Sequence, residues 1–307
     1  MAMERHERFS LPKVWKPRNV GEAWSLKRSF GSDAEYVAGG TLLRTWWEGE
    51  VAERPAHLID IRSLPLLAGI RIAEEGGTGI GACTTLAEIR RSCGLAAEYP
   101  ALPEAVLQIG AYSIRNVGTI GGNVASGIGD ALPALLVYDA ELLWFDGSEE
   151  RIAISEWLER PEDCRRDRGK LLMQVRLPDR ANAVETPTGG GNAPFSVYRK
   201  VGRREAFTPS VATVAISAGR TEDGRLERVR IAAGGGAAVP HRLYAAESLL
   251  EGKTPDPDLL PLIHEAVEET FRPKGDVFAG EEYRKRTAAN LVAAELWKLS
   301  AGRQGKE

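Results

Sequence analysis

Two stretches of the chain set paired glycines beside polar side chains: Ala38 to Leu42 within AGGTLL, and Thr119 to Asn123 within RNVGTIGGNVASGIGD. Gly39 and Gly40 permit positive φ and leave backbone N–H groups unhindered. Thr41 is placed to cap a helix through Leu42, Leu43 and Trp46, whose N-terminus adds partial positive charge. This combination attracts phosphate. Thr119, Ile120, Gly121, Gly122 and Asn123 repeat the pair with a hydroxyl before it and a carboxamide after it, able to hold phosphate oxygens or a ribityl chain. Asp130 follows, and either accepts a hydrogen bond from a ligand hydroxyl or caps the apolar run ALPALLVYDAELL as a helix. Two such turns suggest one long ligand with two phosphates, gripped from both sides.

Other nucleotide and catalytic signatures fail on context. GTGIGA, Gly77 to Ala82, has the letters of a dinucleotide fingerprint. Its glycines fall at a hairpin turn and in the following strand, however, with no helix directly after them. GKT at Gly252 to Thr254 lacks the upstream glycine of a phosphate loop and reads as a helix end. No G-x-S-x-G elbow occurs. Four histidines, at 6, 57, 241 and 264, share no spacing that would face a common metal. Cys83, Cys93 and Cys164 form neither a disulfide framework nor a C-x-x-C ligand pair. A metal or cluster held by this chain alone is not expected.

The elements that must carry the glycine pairs can be read around them. Asn19 with Glu22 caps an amphipathic helix, Glu35 to Ala38 reads as a strand, and His57 to Ile61 as another. Gly69 to Ile72 and Thr78 to Ala82 form a hairpin turning at EEGG, and Thr85 with Glu88 is a capping box. A helical pattern follows Pro103, and Leu142 to Phe145 and Leu171 to Leu177 return as strands. LPDRANAVETPTGGGNAP then bounds a first domain, giving residues 1–180, a linker at 181–194 and a second domain at 195–307. The second domain alternates as strands over Phe195 to Val201, Ser210 to Ala218 and Arg225 to Ala232. It then turns helical over Tyr244 to Leu250, Asp258 to Phe271 and Glu281 to Leu299. The fold class is α+β.

A length of 307 residues suits two domains. Forty Lys and Arg against forty-three Asp and Glu leave a net charge of -3, which excludes a phosphate-backbone partner such as nucleic acid. The charged, proline-bearing start MAMERHERFSLPKVWKP is no signal peptide and no stretch reaches the length of a membrane span, so the cytoplasm is expected.

AGGTLL, IRNVGTIGGN and the downstream D-x-x-P-x-L-L together resemble the FAD-binding medium subunit of the xanthine dehydrogenase and carbon monoxide dehydrogenase family of molybdenum hydroxylases. The resemblance runs over nearly the whole chain. LIDIRSLPLLAGI and ACTTLAEI fall between the glycine pairs, while YRKVGRREAF, AAGGGAAVPHRL and EEYRKRTAANL are similar to the family's C-terminal domain. It implies a two-part α/β FAD-binding domain of the PCMH type followed by an α+β domain of the CO dehydrogenase flavoprotein type.

It further implies that residues 38–42 and 119–123 bind the FAD pyrophosphate and ribityl, and that Asp130 lies near the cofactor. Leu171 or Leu172 would pack near the flavin ring, and Lys200 would reach the ring from the second domain. There a cation about 4 Å away would favour the anionic reduced form by a few kcal/mol at an effective dielectric of about 20. Tyr198, two residues earlier on the same strand face, would stack near the ring or pack. The first loop has Leu42 where many members carry another polar residue after Thr41, and after Arg203, Arg204 and Glu205 the chain reads AFTPS where some members carry an acidic residue. Both differences bear on the flavin edge and the electron acceptor.

The implied partners are a small subunit with two [2Fe-2S] clusters and a large subunit with a molybdenum cofactor, assembled as a dimer of heterotrimers. The chain would pass electrons from the clusters to an acceptor. The alternative is a self-sufficient FAD-dependent oxidase or dehydrogenase.

Overall fold

The computed structural model describes residues 11–72, 76–165, 169–179, 195–202 and 210–304, with side chains through residue 301. Among the described residues twelve strands form three sheets. A small parallel sheet takes the order β1-β3-β2, from β1 (Lys13–Trp15), β2 (Ala34–Val37) and β3 (His57–Asp60). An antiparallel sheet takes the order β4-β5-β8-β6-β7, from β4 (Ile70–Ile72), β5 (Thr78–Gly81), β6 (Glu141–Phe145), β7 (Glu149–Ala153) and β8 (Leu171–Leu177). The last sheet is antiparallel in the order β12-β11-β10-β9, from β9 (Phe195–Gly202), β10 (Ser210–Arg220), β11 (Leu226–Gly235) and β12 (Ala238–Arg242).

Helices α1 (Val20–Phe30) and α2 (Thr41–Glu48) accompany the first sheet. Between β5 and β6 run α3 (Leu86–Arg91), α4 (Cys93–Glu98), α5 (Ala101–Leu107), α6 (Tyr112–Arg115), α7 (Ile120–Ala125) and α8 (Leu132–Leu136). Helices α9 (Ile154–Glu159) and α10 (Glu162–Arg165) lead to β8. After β12 come α11 (Tyr244–Leu250), α12 (Leu260–Thr270) and α13 (Glu281–Gln304).

Local chemistry explains the starts of several elements. The Asn19 side chain accepts from the Glu22 amide at the head of α1, and Thr85 with Glu88 closes a complete capping box on α3. Helix α5 begins at Ala101, two residues before Pro103, because proline is tolerated in a first turn whose amides have no helical acceptor. Strand β8 is buried on both faces and separates two cores. Leu171 and Met173 belong to the core under the parallel sheet, whereas Leu172 and Val175 belong to the larger one.

That larger core is continuous with the last sheet. Tyr198, Ala215 and Ala232 pack into it alongside Leu132, Leu135 and Leu136 of α8, while the opposite face of the sheet packs on α11, α12 and α13. Position 200 on β9 is therefore delivered against the segment that joins α7 to α8. The expected linker at 181–194, Arg203 and Arg204 with the AFTP that follows, His6, and the first two residues of EEGG lie outside the described residues.

Candidate functional site

The first glycine pair lies between β2 and α2. Gly40 is left-handed, with φ 66°, and occupies the cap position of α2 with no side-chain cap. Thr41 is therefore not the cap but the first helical residue, since a left-handed turn at Gly40 already reverses the chain; its carbonyl accepts the Thr45 hydroxyl. The amides of Gly39, Gly40, Thr41, Leu42 and Leu43 have no acceptor among the described residues, and the first turn of α2 holds no acidic side chain. Ala38 packs on the core below, and Leu42 is partly exposed. Among the described residues, N–H groups left without a partner at a helix N-terminus have the chemistry that suits an anion.

Gly39 has a second reason to lack a side chain. A Cβ there would fall inside the carbonyl of Val117 and 2.8 Å from the Gly118 Cα. The two glycine segments thus lie backbone to backbone, and Thr41 Oγ1 is 3.5 Å from where a Gly118 Cβ would stand.

The second pair is not a loop. Thr119 caps α7, and Gly121 and Gly122 occupy its first turn. Its amides are all consumed: Ile120 N–H donates to the Thr84 carbonyl at 3.0 Å, Gly121 N–H to Ala82 at 2.8 Å, Gly122 N–H to Thr119 Oγ1 at 3.2 Å and Asn123 N–H to the Thr119 carbonyl at 3.1 Å. The expectation of free amides at both pairs is corrected here, because the segment after β5 takes the donors of Ile120 and Gly121 and Thr119 takes those of Gly122 and Asn123.

Gly121 is buried and a Cβ on it would stand 2.6 Å from the Ala82 oxygen, whereas Gly122 is exposed and a Cβ would meet only Thr119 Oγ1 at 3.4 Å. Gly122 and Ala125 leave an open strip of small residues on the outer face of α7. The Asn123 carboxamide oxygen accepts from the Ala131 amide at 3.2 Å and so pins the turn into α8.

Asp130 is also corrected. The cap position of α8 is Ala131, whose amide is served by Asn123, and the Asp130 carboxylate turns to the last sheet. Its Oδ2 accepts from Lys200 Nζ at 2.8 Å and its Oδ1 from the Ser210 hydroxyl at 2.6 Å, while its carbonyl accepts from the Tyr198 hydroxyl at 2.9 Å. Lys200 Nζ also donates to the Gln108 carbonyl at 2.9 Å.

Lys200 is thus no isolated cation, because the carboxylate against it offsets much of the field it would project. Tyr198 and Lys200 do share a strand face, both reaching Asp130. Tyr198 is fully buried and packs; burial foremost, and then the Asp130 charge, push its phenol well above the usual tyrosine range, so it remains a neutral donor. Ser210 and the Gln108 carbonyl are hydrogen-bond partners of this pair that the sequence reading missed. A serine opening a strand and a backbone oxygen carry no local signature.

A cavity of about 130 Å³ lies at the same junction, lined by Ser126, Gly127, Ile128, Arg165, Val239 and Lys274 among others. Leu171 and Leu172 are both buried, on opposite faces of β8, and only Leu172 shares the core on which α7 packs. The residues present fit a ligand with an anionic middle and a flat body. Unpartnered amides at 39–43 suit a diphosphate, and the side-chain-free face of α7 lets a ring or ribityl approach the backbone. Among the described residues no cluster of His, Cys, Asp or Glu could hold a metal, and no helix is long and apolar enough to cross a membrane.

Comparison with known proteins agrees along the chain. Residues 7–180 match the family model described as the FAD binding domain in molybdopterin dehydrogenase, and residues 196–297 match the CO dehydrogenase flavoprotein C-terminal domain. The chain is 31% identical over 290 residues to the carbon monoxide dehydrogenase medium chain of Afipia carboxidovorans, covering 93% of this chain and 96% of that one. It is 27% identical to the xanthine dehydrogenase FAD-binding subunit of Escherichia coli O157:H7, over 89% and 91% of the two chains. A crystal structure of the Cu,Mo-CO dehydrogenase superposes with a TM-score of 0.81 at 26% identity, over 93% of this chain and 97% of that one. The chain belongs to the family of FAD-binding medium subunits of the molybdenum-containing dehydrogenases, built from an FAD-binding domain and a CO dehydrogenase flavoprotein C-terminal domain.

Proposed function

We propose that this protein is the FAD-carrying electron-transfer subunit of a heterotrimeric molybdenum hydroxylase. The observation that carries the reading is the set of five unpartnered amides at 39–43, lying backbone to backbone with the segment that enters α7. The diphosphate would sit on those amides with Ala38 to Leu42 around it. The ribityl chain would run over Thr119, Gly122 and Asn123, and the ring would lie toward Asp130, Lys200 and Leu172. When bound, FAD supplies the ability to accept electrons singly and release them in pairs. The chain's own residues hold and orient it: Asn123 and Asp130 fix the α7–α8 turn, and Lys200 presents a tethered cation.

The electrons would come from a small partner with [2Fe-2S] clusters, itself reduced by a large partner whose molybdenum cofactor oxidises the substrate. A dimer of such heterotrimers in the cytoplasm is the assembly we infer, with the flavin domain spanning residues 1–180 and the C-terminal α+β domain residues 195–307.

The test uses the full chain. Wild type purified with its partners should carry FAD, identified by absorbance and mass, and that flavin should bleach when substrate reduces the complex. Gly122→Val adds bulk only to the open face of α7, so it should fold normally yet lose its yellow colour. Retained flavin in that variant would overturn the assignment of α7 as the ring and ribityl floor.

A further inference from the structure

Arg284, in the first turn of α13, is 1% exposed, which is rare for a side chain that is always charged. Every nitrogen of its guanidinium is used. Nη1 donates to the carbonyls of Ser210 at 2.9 Å and Val211 at 2.7 Å, Nη2 to Asp276 Oδ2 at 2.6 Å, and Nε to the Ala279 carbonyl at 3.3 Å. The fold makes room for it: Gly236 is left-handed with φ 61°, and a Cβ there would fall inside the guanidinium. The Gly236 amide in turn donates to Ser210 Oγ at 3.2 Å.

Ser210 is the point of transfer. Its carbonyl is held by Arg284 while its hydroxyl, oriented by the Gly236 amide, donates to Asp130, which holds Lys200. A chain of hydrogen bonds, buried at Arg284 and part-buried toward Lys200, therefore runs Arg284, Ser210, Asp130, Lys200, from the first turn of the last helix to the lysine at the domain junction. Such a chain costs desolvation of two cations and the carboxylate between them, and an apolar core would be the easier way to stabilise α13 against β10.

We propose that Arg284 is a positioning residue for the flavin, acting through Ser210 and Asp130 to fix Lys200. The inference rests on the FAD-binding reading above. It takes neither Arg284 nor Ser210 to touch the cofactor.

The experiment measures the midpoint potential of bound FAD in the full chain for wild type, Arg284→Lys, Ser210→Ala and their combination, with Lys200→Met as the reference for a lost cation. Arg284→Lys keeps the charge but lacks the planar fork that spans all four acceptors, and Ser210→Ala changes no charge at all. Both should keep FAD bound and shift the potential downward, in the direction of Lys200→Met. The double variant should shift no further than the larger single one, as expected of links in one chain.

If Arg284→Lys fails to fold, Ser210→Ala alone decides. A wild-type potential in Ser210→Ala, additive shifts in the double variant, or loss of FAD from Ser210→Ala would each overturn the proposal. A wild-type chain that binds no flavin would instead remove the FAD reading, and this inference with it, before any variant is compared.

Discussion

The two glycine pairs look alike in sequence and do different work in the fold. Around Gly39 and Gly40 five amides have no acceptor among the described residues, and a left-handed residue sets the helix start that carries them. At Gly121 and Gly122 every amide is spent on the protein, and the missing side chains serve packing on one face and openness on the other. A double glycine therefore specifies closeness of approach, and what comes close depends on where the N–H groups already point. The first pair is built for charge and the second for shape.

The largest expected effect breaks the comparison at the first pair. Gly39→Val would drive a side chain into the Val117 carbonyl, a main-chain atom that cannot move alone. It should cost about 3 kcal/mol of stability, at the upper end for overpacking, and remove FAD binding altogether. A urea melt and a flavin titration on the same sample measure both. Unchanged flavin affinity in a folded variant would mean that the free amides hold something else.

A smaller and sharper contrast lies within the second pair. Gly121→Ala would place a methyl 2.6 Å from the Ala82 oxygen, so it should destabilise by about 1–3 kcal/mol. Gly122→Ala meets only ordinary contact and gains helix propensity, so the ligand-free chain should be stabilised by up to about 1 kcal/mol. Yet it should weaken FAD binding. Opposite signs in stability with the same sign in flavin affinity would confirm the division between a packed face and an open one, and equal signs in stability would refute it.

Much of this was legible from sequence, and the failures share a cause. Asn19, Thr85 and Glu88 act over three residues, so their caps could be read directly, and β8 to β11 announced themselves by composition and alternation. Three-residue β1 offers no period to read, and β7 is a charged edge strand, EERIA. β12 carries Pro240, which argues against a strand in general but is tolerated on an edge, where β12 lies.

The site errors are longer in range. Asp130 stands ahead of an apolar run and looks like its cap, but Lys200 and Ser210 lie 70 and 80 residues further on and take the carboxylate. TIGGN has poor helix propensity, and burial of Ile120, Gly121 and Val124 against the end of β5 overrides it. Residue types at the site were visible; the destinations of their hydrogen bonds were not.

Removing the Asn123 carboxamide tests the shape-built side more gently. Asn123→Ala takes away the acceptor for the Ala131 amide, comparable to losing a helix cap, and should cost about 1 kcal/mol. Because Asp130 sits in the same turn, flavin affinity should fall with it, as a fluorescence titration would record. A stability loss without an affinity loss would separate the turn from the ligand.

The smallest expected effect concerns acid, and it belongs to the charge-built side. Asp60 lies beside Val37 in register at the base of the first pair and receives a bidentate pair of bonds from Arg62, at 2.9 Å and 2.7 Å. Hydrogen bonding from Arg62, outweighing the opposing effect of burial, holds the Asp60 carboxyl below the usual aspartate range. Its folded pKa is thus depressed, so the stability it adds is full above the unfolded value and drains away as pH falls through the folded one. Because Arg62 is two-thirds exposed, solvent screens the pair and the contribution stays below about 1 kcal/mol. Below the ordinary aspartate range, wild type should lose stability more steeply than Asp60→Asn, and flavin should leave wild type first. Since α7 has no such carboxylate in its own hydrogen bonds, an acid sensitivity that survives Asp60→Asn would place the weak point on the shape-built side instead.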